Sequence, residues 1–267
     1  MGKKRASPGA DTEKSPLGDP ELSDAHNEKL EKICEEASRV DIFLEFLTQE
    51  KHAPFLRKRR EILKTIPKFW PVALMNHPNV SIHAVHHQDQ VALGYLEDVW
   101  LERDPKEKRC FTLEFYFREN PFFSDPVLKK EYRYIPPADV DGEKEDEWGV
   151  TDAQAAFGWD VNVEPQAIKI HWKDAAHNLT KAHPRVLDDE DELSEPGSFF
   201  NLFEVEKDHM DLGIAIANEI FPEAMEWFKG TAAQAFSEDE DEDDDEEDDE
   251  DEEEIDLEKP RTKKQRT

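Results

Sequence analysis

Residues 24–47 read DAHNEKLEKICEEASRVDIFLEFL. Apolar side chains recur at Leu30, Ile33, Ala37, Val40, Leu44 and Leu47, with spacings that alternate between three and four. That is the seam of a heptad helix, and Glu, Lys and Arg flank it. Pro54 interrupts the series, which resumes one residue out of step at Phe55, Ile62 and Ile66. Proline removes one backbone hydrogen bond and crowds the preceding turn, so a bend is expected there rather than a stop. A helix over residues 24–66 would be roughly 65 Å long at 1.5 Å per residue. It cannot bury its own stripe, and each Leu, Ile or Phe left wet forgoes about 1.5–3 kcal/mol. No second heptad helix of matching length follows. The seam therefore predicts pairing with a second copy, a homodimer joined through this helix.

Beyond Pro71 the pattern changes. RCFTLEFYF (109–117) sets Phe111, Leu113, Phe115 and Phe117 against Thr112, Glu114 and Tyr116, the alternation of a half-buried strand. LEDVWLE (96–102), KEYRYI (130–135) and AIKIHW (167–172) supply three more. Residues 136–164 hold two Pro, three Gly and many acids, and read as a long insertion or loop. An acidic loop, DDEDELSEPG (188–197), precedes helical patterns in SFFNLFE, HMDLGIAIANEIF and PEAMEWF. The fold class expected is α+β: a long N-terminal dimerisation helix, then a domain with a four-stranded antiparallel sheet covered by helices. The boundaries expected are a disordered segment over 1–22, the helix over 23–75, the α+β domain over 76–230 and a disordered acidic tail with a basic end over 231–267.

The 267 residues carry a formal net charge of -31. Residues 238–254, EDEDEDDDEEDDEDEEE, are all carboxylates. Such a run has nothing to bury and repels itself, so it should stay extended and solvated. Acid remains in excess in the body too, which points to a basic macromolecular partner and away from direct binding of nucleic acid or anionic membranes. Cys34 and Cys110 have no metal-ligand or redox neighbour and read as reduced thiols in an intracellular protein. No apolar run approaches a membrane span, and the N-terminus lacks an apolar signal core.

Catalytic signatures are missing. There is no Gly-rich phosphate loop, no HExxH and no nucleophile elbow. His83, His86 and His87 in SIHAVHH have spacings a metal site could use, but no third ligand follows, and they read as surface histidines. No catalytic residue, metal or cofactor is expected, and the chain reads as a binding protein. RKRR, Arg57 to Arg60, could contact phosphate, yet pairing with glutamates in the dimer is the simpler reading. DNA is thus expected to be bound only weakly, or through another protein.

At HAPFLRKRREILKTIPKFW (52–70) and NHPNVS (76–81) the sequence resembles the nucleosome assembly protein family of histone chaperones, within it the SET-type branch. LEFYFRENPFFSDPVLKKEY, IKIHWKDAAHNLTK, GSFFNLFE and LGIAIANEIFPEAMEWF follow in order, so the resemblance spans roughly residues 25–230. It implies a long dimerisation helix bearing an "earmuff" α+β domain, with an acidic underside that receives core histones, either or both of the core-histone pairs. It also implies, as an alternative, regulation of a phosphatase or of a histone acetyltransferase, which could be a further partner. The segment 184–195 is more acidic, and the insertion at 139–160 longer, than the resemblance leads one to expect.

On that basis the histone-binding candidates are Asp188, Asp189, Glu190, Asp191, Glu192 and Glu195, then Glu204, Glu206, Asp208 and Asp211. The basic end, with Lys259, Arg261, Lys263, Lys264 and Arg266, suits nuclear import, and with it a nuclear location with some cytoplasmic shuttling.

Overall fold

The structure is a computed structural model, and it describes residues 23–138, 140, 143–188 and 193–234. The acidic run, the basic end, the N-terminal segment and Asp189 to Glu192 lie outside the described residues. Packing divides the chain elsewhere than at the expected 75/76 boundary. One unit joins the residues up to Phe55 with Pro136–Asn162, and the other joins Leu56–Ile135 with the chain from Val163 onward.

Helix α1 runs Asp24–Leu63 and passes through Pro54 without a break. Its 40 residues are about 60 Å long. Ile66 lies beyond its end, in the turn where the amides of Thr65 and Ile66 donate to the carbonyls of Ile62 and Leu63, so the last expected seam position is not on the helix. Pro67 follows, and Lys68 takes a left-handed backbone conformation, φ 59°, which redirects the chain.

In the first unit, Ile42 and Phe46 are buried with Val150, and Phe43 packs on Trp148 with ring centroids 5.9 Å apart. Arg39 reaches Asp146 at 3.0 Å and also pairs with Asp152. Within Pro136–Asn162 the described residues include α5 (Asp152–Ala155), opened by a capping box from Thr151 and Gln154, and α6 (Trp159–Asn162). The stretch read as a loop thus covers one flank of α1. The heptad positions lie on the neighbouring flank and stay open: Leu30, Ile33, Leu44 and Phe55 are 47%, 63%, 49% and 52% exposed. Ala37 is exposed and Val40 and Leu47 are half-buried.

In the second unit, α2 (Phe69–Met75), α3 (Pro78–His83) and α4 (His87–Leu93) lead into the sheet. Strands β1 (Leu96–Arg103), β2 (Phe111–Phe117), β3 (Val127–Tyr134) and β4 (Val163–Pro165) are antiparallel in the order β1-β2-β3-β4. The β2 alternation is as the sequence implies, with Phe111, Leu113, Phe115 and Phe117 all buried. The fourth strand is VEP rather than AIKIHW, because Tyr132 and Tyr134 pair with Pro165 and Val163. The Ile168 amide turns instead to the carbonyl of Phe203, and only Trp172 forms a bridge, to Phe123.

The remaining elements are α7 (Leu179–Ala182), the hairpin β5 (Val186–Leu187) and β6 (Leu193–Glu195), α8 (Asn201–Glu204), α9 (Leu212–Ala215), a π-helical turn over Ile216–Ile220 and α10 (Ala224–Lys229). Phe199, Phe200 and Phe203 are fully buried against Phe115, Phe117 and Phe123. Ser198 donates to the buried carboxylate of Asp89 at 2.6 Å, anchoring this aromatic cluster to α4.

Two members of RKRR are structural. Arg59 is buried and donates to the carbonyls of Phe221 and Pro222 at 2.6 and 2.7 Å, which are left without helical partners where the π-helical turn ends. Arg60 donates to the buried carboxylate of Asp98 at 2.6 Å. Arg59→Met should leave those carbonyls without a donor and destabilise the second unit by about 3 kcal/mol, as read by denaturant unfolding.

His83 also departs from the surface reading, being fully buried with neither ring nitrogen hydrogen-bonded. Burial, and then the charge of Arg185, push its pKa down to about 4. In the unfolded chain the ring protonates near 6.5, so between these values the unfolded state binds the extra proton. Stability should fall as pH drops from about 6.5 towards 4, by roughly 3 kcal/mol from this ring. His83→Leu should flatten that part of the profile in unfolding titrations; an unchanged slope would assign the acid sensitivity elsewhere. His86 stacks on His183 at 3.6 Å and His87 is exposed, so the three histidines do not converge. Among the described residues no cluster suited to a metal ion occurs.

Candidate functional site

The acids predicted from sequence fall into two kinds. Glu204, in α8, faces inward: it accepts from the Ile170 amide at 3.0 Å, from Thr180 Oγ1 at 2.5 Å and from Trp172 Nε1 at 3.4 Å. This carboxylate replaces the strand pairing that AIKIHW lacks. Asp208 is also internal. It accepts from the Tyr132 hydroxyl and from the Gly213 amide at 2.8 Å, and burial raises its pKa. Gly213 is required there, since a Cβ would stand 1.9 Å from the Tyr132 hydroxyl. Beside it the fully buried Lys130 ammonium donates to the carbonyls of Val205 and Glu206 at 2.7 and 2.9 Å, and burial lowers its pKa to about 8.

Glu206 and Asp211 are exposed, and so are Asp188 and Glu195 on the β5–β6 hairpin. The hairpin and the stretch Glu204 to His209 meet in space at Leu187. A cleft of about 550 Å³ is lined by Leu187 of β5 together with Glu204, Glu206, Lys207 and His209. Val186 pairs with Glu195 and Leu187 with Leu193; Asp188 directly follows the cleft-lining Leu187, whereas Glu195 lines a separate cleft with His86 and His183. Arg185 ties the hairpin to the opposite wall by donating to the Lys207 carbonyl at 3.4 Å. Sequence reading took 188–197 as a loop and missed both the hairpin and the cleft. Such an arrangement suits many weak, screened contacts to a cationic surface rather than one tight site.

A family model described as nucleosome assembly protein (NAP) matches residues 19–231. The chain belongs to the nucleosome assembly protein family. Its relatives include Nucleosome assembly protein 1;2 of Oryza sativa subsp. japonica, 31% identical over 258 residues, covering 80% of this chain and 66% of that protein. Protein SETSIP of Homo sapiens is 27% identical over 215 residues, covering 78% of this chain and 64% of that one. This NAP-family chain therefore spans slightly less than two thirds of either relative's length. Among solved structures, Ccp1 is 26% identical with a TM-score of 0.57, covering 78% of this chain and 94% of that one. Vps75, at 16% identity and a TM-score of 0.55, covers 79% of this chain and all (100%) of that one, and shares the fold.

Proposed function

We propose that this NAP-family protein is a histone chaperone. As a homodimer it binds core histones on acidic surfaces, shields them from indiscriminate contact with nucleic acid and releases them for nucleosome assembly, in the nucleus. The observation that supports the reading is the exposure of Asp188, Glu195, Glu206 and Asp211 on a family member of net charge -31, with Glu206 lining a cleft beside Leu187 of the hairpin. The names of its relatives and the exposed apolar seam of α1 support it.

The mechanism follows from the weakness of each contact. Histones bind DNA nonspecifically because counterions are released from phosphate. Exposed ion pairs contribute only ~0–1 kcal/mol each and are screened by salt. Many such pairs cover a histone, yet yield when DNA offers a denser array. The folded cleft supplies shape, and the carboxylate run raises local acid concentration and the rate of encounter. Neutralising Asp188, Glu195, Glu206 and Asp211 together, to Asn or Gln, should cost about 2 kcal/mol, roughly 30-fold in histone affinity. Fluorescence titration near physiological salt checks this. Unchanged affinity with an unchanged melting temperature would remove these four acids from the account.

A further inference from the structure

A second cleft, of about 510 Å³, has the opposite electrostatic character. It opens in the second unit where the end of α1, the turn before α2, β1 and the end of β2 meet. Arg60, Lys64, Lys68 and Arg118 line it against only Glu97 and Asp98. Asp98 is buried and already engaged by Arg60 at 2.6 Å and by Lys64 at 3.7 Å. Arg60 is further fixed over the rings of Trp100 and Tyr116, at 4.6 and 4.9 Å. Arg118 lies over the Tyr95 ring at 4.9 Å and donates to the Gly94 carbonyl at 3.2 Å. Cations thus outnumber acids at a preorganised opening, on a chain with 65 acids against 34 bases. A polycationic ligand would be repelled here.

We infer that this cleft is the docking site of an acidic peptide segment, the carboxylate run Glu238–Glu254 of the same chain. Charge complementarity is the first argument. Reach is the second: Phe228 of α10 stacks on Phe69 at 4.7 Å, and Phe69 directly follows Lys68 of the cleft. Residues 229–234 continue in helical form, adding about 9 Å at 1.5 Å per residue, and the four steps on to Glu238 add up to ~14 Å when extended, so the first acids of the run can lie within ~23 Å of Phe228, within reach of the opening. Tethering makes the encounter intramolecular, at an effective concentration on the order of millimolar. Size is the third argument. The cleft admits a few side chains, which leaves most of the seventeen carboxylates outside it. Docking would therefore hold the run against the domain at low salt, in competition with any polycation that draws it away.

The test is zero-length carbodiimide coupling of amines to neighbouring carboxylates in the full chain, using isotope-labelled and unlabelled protein with exchanged subunits. Lys64 and Lys68 should couple to residues 238–254 of the same chain, and the coupling should disappear near 1 M salt, where screening acts over ~3 Å. The pair Lys64–Glu61, 3.8 Å apart, is the internal control for reactivity. Lys68→Gln with Arg118→Gln, both at exposed positions, should lower the Lys64 yield about tenfold while the control holds. The inference is overturned by yields no higher than at the exposed Lys29 and Lys32, or by coupling found only between labelled and unlabelled chains. It is equally overturned if a short DNA duplex binds the full chain through this cleft, losing its affinity in the double variant.

Discussion

Leu44→Glu combined with Leu47→Glu should turn the protein into a monomer whose folded units persist. The seam is open along α1, with Leu44 49% exposed although its neighbours Ile42 and Phe46 are buried. A pairing of two such helices covers four leucines at these positions, each contributing about 1.5–3 kcal/mol, so the loss is roughly 6 kcal/mol or more. The dissociation constant should rise by at least four powers of ten. Because Leu44 is exposed, Leu47 only half-buried, and both lie in the first unit, far-ultraviolet dichroism and the melting of the second unit should change little. Sedimentation showing an intact dimer would mean that another surface joins the copies.

Ending the chain after Phe236 should weaken histone binding by about 30-fold at low salt and reduce the slope of log affinity against log salt. The seventeen consecutive carboxylates are the largest single concentration of charge in the sequence. Their contacts are individually weak, so their contribution should fade as salt rises, leaving the part that belongs to the cleft beside the β5–β6 hairpin. If affinity near physiological salt stays the same and the slope is retained, the run serves solubility instead.

These two expectations rest on different kinds of residue, and the sequence shows them unequally. The fold was readable because the motifs that carry it are packing devices. Phe69 and Trp70 of IPKFW stack on Phe228 and Phe221. Asn76 of NHP donates to the Trp227 carbonyl at 2.7 Å. Asn120 of ENPFF closes its turn by accepting from the amides of Phe122 and Phe123 at 2.9 and 3.0 Å. Ser198 and the phenylalanines of SFFNLF fill the space between β2 and α4. Each such residue type has one physical use in its place, so the pattern specifies the structure.

The site is another matter. Exposed carboxylates have no spacing rule, and in a chain with 65 of them a local run says little about which are used internally. Glu204 and Asp208 look like Glu206 and Asp211 in sequence, yet the first two are hydrogen-bonded inside the domain and the others face water. The difference comes from tertiary neighbours, Thr180 and Tyr132, that lie 24 and 76 residues away. The hairpin β5–β6 was hidden for a related reason. Its strands are two and three residues long, below the length at which alternation can be recognised. On α1, Ile42, Phe43 and Phe46 form a second apolar flank beside the heptad seam, and the segment that covers it reads as loop because its helices have only four residues each.

The most direct test of the central claim is a titration of the purified full-length protein with both core-histone pairs across a range of salt, with mass measured on the complex. The account predicts a dimer that binds histones near physiological ionic strength, with affinity falling steeply as salt rises. A monomer, or a dimer that leaves histones unbound under those conditions, would contradict it.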